Sequence, residues 1–181
     1  MIDKKYRPGG KSYLCVNDDS KLVVNAEYLI RLKEKQDGNP EKKCTLCLHN
    51  DIREKHHEMI NLYSKGEYVR PHYHADKTET KIMLEGKMLA VLFDDKGKIT
   101  DRIILSSGTN DCFLLRVDRM VIHTNIPLTD VVFYESITGP YTGVNDSVFP
   151  AWAPAFDDGD AIQEFYARLG IDDFYRLGNG K

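Results

Sequence analysis

The sequence predicts a mainly β chain, an antiparallel sandwich or barrel with a helix near each end. Three observations carry this. Between residues 59 and 137, short apolar or alternating runs recur with turn residues between them and few helices. Helix-capping signals fall outside that block, at Asn25 and at Asp157 to Asp160. Inside it, His72 and His74 are two apart, so a strand would aim both imidazoles at one point.

In order, residues 1 to 20 are polar and broken by Gly and Pro, with a short strand expected at Ser12 to Val16. Asn25 caps a helix through about Lys35, with Tyr28, Leu29 and Leu32 on one face. That helix is expected across the barrel mouth or against a second subunit. Gln36 to Lys43, with Asp-Gly-Asn-Pro at its centre, reads as a loop. Strands follow at Met59 to Tyr63, Lys81 to Leu84, Lys87 to Phe93, Ile99 to Leu105, Cys112 to Val117, Met120 to His123 and Val131 to Ile137. Glu85-Gly86 makes a tight hairpin, and Asp94-Asp95-Lys96-Gly97 a second turn. A last helix runs from Ala161 to Leu169 and ends at Gly170, with another turn expected over Ile171 to Leu177. Its aromatic load, Phe165, Tyr166, Phe174 and Tyr175, requires that it dock on the barrel or on a partner, or else close over the site. The division is then 1–50, an N-terminal extension with one helix; 51–156, the barrel; and 157–181, a helical tail.

Composition narrows the function. A net charge of −3 and no long basic run argue against a nucleic-acid or anionic-membrane partner. No apolar stretch approaches the ~20 residues that span a bilayer, and no apolar segment follows the first charged residues, so a cytoplasmic location is expected. Cys44 and Cys47 have the spacing of a redox pair or half a zinc site, with His49, His56 and His57 nearby. No βαβ pattern and no second pair completes either, so a structural role is expected.

The chemistry concentrates between Gly66 and Gly86. A short loop, Ala75 to Thr78, returns the chain so that Glu79 joins His72 and His74. Two nitrogens and one oxygen form a ligand set for a divalent transition metal. If the strand runs unbroken from Tyr68, then Tyr68 and Arg70 face inward with the histidines, and Lys81 and Met83 follow Glu79 inward. Arg70 is a candidate clamp for a carboxylate or phosphate, or else pairs with Glu67 or Glu135. Tyr141 is a candidate acid/base or hydrogen-bonding group at the mouth, and Trp152 is expected to pack near the rim.

The positions Gly66, His72, His74, Glu79 and Gly86 resemble the first metal motif of the cupin barrels. The second cupin motif, Gly, Pro, Gly, His and Asn, survives here as His123 and Asn125, with Asp118 and Met120 where Pro and Gly would stand. Segments 68–74, 92–97, 139–141 and 151–154 resemble the WbuC-type cupin metalloproteins across roughly Leu46 to Pro154. The resemblance implies a cupin-type double-stranded antiparallel β-barrel, or jelly roll, a homodimer, and His123 as a fourth metal ligand. Three imidazoles and one carboxylate leave positions open for water or substrate, as a working site requires. The set suits one ion of Fe, Zn, Mn, Ni or Co. The expected function is metal-dependent binding of, or action on, a small polar molecule, with the metal as Lewis acid. WbuC-like proteins steer the substrate towards a sugar or nucleotide-sugar of surface-polysaccharide (O-antigen) biosynthesis, through isomerase- or epimerase-type chemistry. An Fe(II)-dependent dioxygenase and a non-catalytic metal-dependent binder are the alternatives.

Overall fold

A computed structural model describes residues 13–16, 20–108 and 112–171. The architecture is the mainly β double-sheet barrel expected, with flanking helices. The elements are β1 (Tyr13–Val16), α1 (Ala26–Asp37), β2 (Lys43–Cys47), β3 (His56–Tyr63), β4 (Glu79–Glu85), β5 (Lys87–Phe93), β6 (Ile99–Ser106), β7 (Leu114–Val117), β8 (Ile122–Pro127), β9 (Val131–Thr138) and α2 (Gly159–Arg168). The larger sheet has the order β1-β2-β3-β9-β4-β7 and the smaller β6-β5-β8. All pairings between these strands are antiparallel except β1 with β2, which is parallel.

Alternation sorts the strands into an inner and an outer face. Met83, Val131 and Phe133 of the larger sheet meet Met88, Ala90 and Leu105 of the smaller in one buried cluster, which forms the apolar end of the barrel interior. The opposite faces of both sheets are also apolar, and each is covered by a helix. Asn25 accepts from the Tyr28 N–H at 2.9 Å to start α1, and Leu32 of α1 packs on Cys44, Leu46, Ile60, Leu62 and Val132. The helix therefore lies on the outer face of the larger sheet rather than across the barrel mouth. On the other side Ile162, Phe165 and Tyr166 of α2, with Leu169 just beyond it, cover Leu89, Val91, Phe93 and Ile126. The tail docks on its own barrel as far as the described residues extend; Phe174 and Tyr175 lie outside them.

The segment up to residue 50, read as an extension with one helix, also supplies β1 and β2 to the larger sheet. In β2 both faces are buried, Cys44 and Leu46 under α1 and Thr45 against Asn61, so the strand shows no alternation of polarity. Cys44 and Cys47, three apart on this strand, point to opposite faces and do not form one chelating pair. The Glu85-Gly86 hairpin forms as expected: Gly86 has φ +82, and a Cβ there would stand 2.2 Å from the Asp130 carbonyl oxygen.

Candidate metal centre

The site lies at the polar end of the barrel interior, in a cavity of about 430 Å³. On β4, Glu79 and Lys81 share the inward face with Met83, as period two requires. On β8, the register places His123 opposite Leu92 and Asn125 opposite Ala90, inside, while Thr124 and Ile126 pair with residues under α2.

The segment carrying His72 and His74 is not a continuous strand. It is held by two isolated bridges, His72 with His123 and Tyr73 with Val148. Pro71 has no N–H to continue a ladder, and the alternation slips before the histidines. Val69 lines the cavity in place of Tyr68 and Arg70. Tyr68 lies in the cluster beneath α2 and donates to the Pro154 carbonyl at 2.8 Å. Arg70 donates to the Ala153 carbonyl at 3.0 Å and stacks on Phe149 at 4.6 Å. Arg70 is not among the residues lining the cavity, although its Nε is buried without a hydrogen-bond partner among the described residues. Neither Glu67 nor Glu135 is its partner: Glu67 pairs with Lys43 at 2.5 Å and Glu135 with Lys81 at 3.6 Å.

His72, His74 and Glu79 are brought together, with one donor atom from each lying within 4.8 Å of the others. His123 adjoins this group without belonging to it: its Nε2 is 2.7 Å from Glu79 Oε1, and its ring centre is 4.6 Å from that of His72 and 6.3 Å from that of His74. Each imidazole is anchored at Nδ1 by a backbone carbonyl, His72 by Arg70 at 2.8 Å, His74 by Asp146 at 2.5 Å and His123 by Val121 at 3.0 Å. A carbonyl accepts, so this network assigns the proton to Nδ1 and leaves Nε2 with a lone pair. That is the outer support that ligating histidines have in metal sites. Glu79 Oε2 faces His74 Nε2 at 3.6 Å.

The electrostatics follow from burial. Burial, with His123 beside it, holds the His72 imidazole down to about 3, so it is neutral at ordinary pH. Burial also disfavours the charged form of His74, but the Glu79 carboxylate outweighs it and raises its pKa. Against its own burial, Glu79 is held ionised chiefly by the Lys81 ammonium. Lys81 is bonded to Glu79, and its pKa is raised by Glu79 and Glu135 in spite of burial. Glu135 accepts from the Asn61 amide at 2.7 Å; burial and Glu79 push its pKa up.

The residues present fit a divalent ion. His123 Nε2 is buried and has no hydrogen-bond partner among the described residues although a carboxylate oxygen is close by. A lone pair and an anion at that separation would be compatible with a bound cation. Three anchored imidazoles beside Glu79 would offer an N₃O set for a transition metal.

Tyr141 lines the cavity, its N–H bonded to the Ile52 carbonyl at 2.9 Å. Trp152 packs against Phe93 and donates to the Asp95 carbonyl at 3.1 Å. The sequence reading missed the cavity residues Lys77 and Asp146, named Asn125 only as a remnant of the second motif, and gave Glu135 only as a partner for Arg70. Glu135 was available by parity, as the carboxylate between inward Phe133 and Ile137 on β9.

Residues 24–105 match the family model described as "Domain of unknown function (DUF6016)". No curated protein matches the sequence. Among solved structures the chain is similar to KdgF from Halomonas sp., at 13% identity over 55% of this chain and 81% of that one, with a TM-score of 0.44. It is similar to oxalate decarboxylase from Bacillus subtilis, at 16% identity over 66% of this chain and 29% of that one, with a TM-score of 0.44. A third likeness is to the capsular polysaccharide assembling protein CapF from Staphylococcus aureus, at 16% identity over 54% and 27% of the two chains, with a TM-score of 0.43. The chain therefore spans less than a third of the length of these last two. No described helix is long and apolar enough to cross a membrane.

Proposed function

We propose that this is a metal-dependent cupin-type protein that holds one divalent transition metal through His72, His74, Glu79 and His123 and uses it on a small polar molecule in the barrel cavity. One observation carries the reading: three imidazoles are each tied at Nδ1 to a backbone carbonyl, with Glu79 facing two of them, and His72, His74 and Glu79 line a cavity of about 430 Å³. That volume lies within the range of small-molecule sites. When bound, the ion supplies Lewis acidity towards an oxygen of the guest.

The chain's own part is to receive and orient that guest. Tyr141 offers a phenol at the cavity wall, and Asn125 has a buried carbonyl oxygen without a hydrogen-bond partner among the described residues. Val69, Phe133 and Ile137 supply apolar surface between these polar groups. A wall of mixed character suits a hydroxyl-rich ring better than a hydrocarbon. The WbuC-type resemblance directs the choice towards a sugar or nucleotide-linked sugar of surface-polysaccharide synthesis.

The test is elemental analysis of the purified protein, followed by calorimetric titration of sugars and nucleotide-sugars into metal-loaded and chelator-treated samples. The expected result is one ion per chain and ligand heat only in the loaded protein. Absence of any divalent metal binding overturns the metal reading; metal without any sugar binding overturns the substrate class.

A further inference from the structure

Two of the three imidazoles are steadied by their own stretch of chain. His72 leans on the Arg70 carbonyl and His123 on that of Val121, each two residues back. His74 is different: its Nδ1 partner is the Asp146 carbonyl, 72 residues away, at 2.5 Å. The direction of the His74 ring thus depends on where the segment 139–149 lies.

That segment has little regular structure to fix it. A single 3-10 turn spans Gly143–Asn145, and Val144 within it is 92% exposed. Its outer attachments include Gly139 N–H to the Lys55 carbonyl at 2.9 Å, Tyr141 N–H to the Ile52 carbonyl at 2.9 Å, and the two bonds between Tyr73 and Val148, at 3.0 and 2.9 Å. Between them, the fastening is Lys77. Its ammonium donates to the Pro140 carbonyl at 2.5 Å and to Asp146 Oδ1 at 2.5 Å. The same Oδ1 accepts from the Thr142 N–H at 2.9 Å. One cation therefore draws both ends of the 140–146 turn together. Lys77 is only 4% exposed, and lysine is rarely buried that far unless its charge is paired. It stands in sequence between His74 and Glu79, in the short loop joining two of the proposed ligands.

We propose that Lys77 is a positioning residue of the metal centre, clasping Pro140 and Asp146 so that the Asp146 carbonyl holds the His74 ring in its ligating orientation. This rests on the metal reading above. It assigns Lys77 no contact with the ion or the guest. Its effect passes through His74 alone, and this distinguishes it from a lysine that only stabilises the fold.

The experiment measures Co(II) and Zn(II) affinity by competition with a chromophoric chelator, together with the visible spectrum of the Co(II) form. The proteins are wild type, Lys77→Met, His74→Ala and the double variant. Lys77→Met is expected to weaken binding about 10–100-fold, the usual effect of losing an outer support of a ligand, and to change the Co(II) band shape. In the His74→Ala background the same substitution is expected to change affinity less than twofold. Equal losses in both backgrounds overturn the proposal, as does a Lys77→Met affinity within twofold of wild type. Should Lys77→Met fail to fold, Asp146→Asn carries the same comparison, since it retains the backbone carbonyl and weakens only the clasp; a smaller loss, absent without His74, is expected. If wild type itself binds no divalent ion, the metal reading falls and takes this inference with it. The other negative outcomes leave the metal reading intact.

Discussion

His123 Nε2 stands 2.7 Å from Glu79 Oε1, yet the pair does not meet the geometry of a hydrogen bond. The Val121 carbonyl beside Nδ1 assigns the imidazole proton to that other nitrogen. Two electron-rich atoms are therefore held together in the barrel interior by the fold. Binding of a divalent ion at this centre is expected to raise the thermal unfolding midpoint. Free ion at 100 times its dissociation constant contributes about 2.7 kcal/mol, equivalent to roughly 5–10 °C for a domain of this size. Calorimetric scans with metal and with chelator check this; His123→Ala should abolish most of the difference, and an undiminished shift in that variant would count against the site.

Lys81 is the cation that keeps Glu79 and Glu135 compatible in one buried wall. Lys81→Met leaves two carboxylates facing one another, and breaking a buried pair costs about 3–5 kcal/mol. Urea unfolding in the presence of chelator measures the loss. Adding Glu135→Gln to Lys81→Met should recover part of it, because one of the opposed charges is then gone.

Met120 has φ +64, in the left-handed region, and from that position donates its N–H to the His74 carbonyl at 2.8 Å. Its side chain is 60% exposed, so little packing compensates for the conformation. A side chain there costs about 1–2 kcal/mol, against about 0.5–1 kcal/mol for the extra freedom of glycine in the unfolded chain. Met120→Gly should therefore stabilise the protein by about 0.5–1 kcal/mol. A lowered midpoint in chemical denaturation would contradict this.

Leu32 is wholly buried between α1 and the larger sheet. Leu32→Ala should cost about 2–5 kcal/mol, the usual range for a core truncation. Metal affinity of the folded variant should be unchanged, since α1 lies on the far side of the sheet from the cavity. Denaturant titration and metal competition on the same sample separate the two effects.

The strands from β4 to β6 and β9 were legible because each has one partner face and a turn whose residues declare it; Lys87–Phe93 is found where the apolar run predicts. β2 was not legible, since Cys44, Leu46 and Thr45 are all buried and polarity carries no period there. The convergence of His72, His74 and Glu79 could be read from motif spacing, but the inward count for Tyr68 and Arg70 assumed a strand that Pro71 interrupts. The clasp of Lys77 on Asp146 joins residues 69 apart through an irregular loop. Neither periodicity nor local spacing reports such a pair.

Segment 139–149 contributes Tyr141, Ser147 and Phe149 to the space for a guest and the Asp146 carbonyl to a ligand of the ion. With the proposed ion bound, occupancy at the two places would be coupled through this segment, and linkage makes such coupling mutual: a compound that firms this wall would tighten retention of the cation, and the cation would raise that compound's affinity by an equal factor. A screen for the natural ligand need not wait for turnover, because tighter equilibrium retention of the ion against a chelator would betray it.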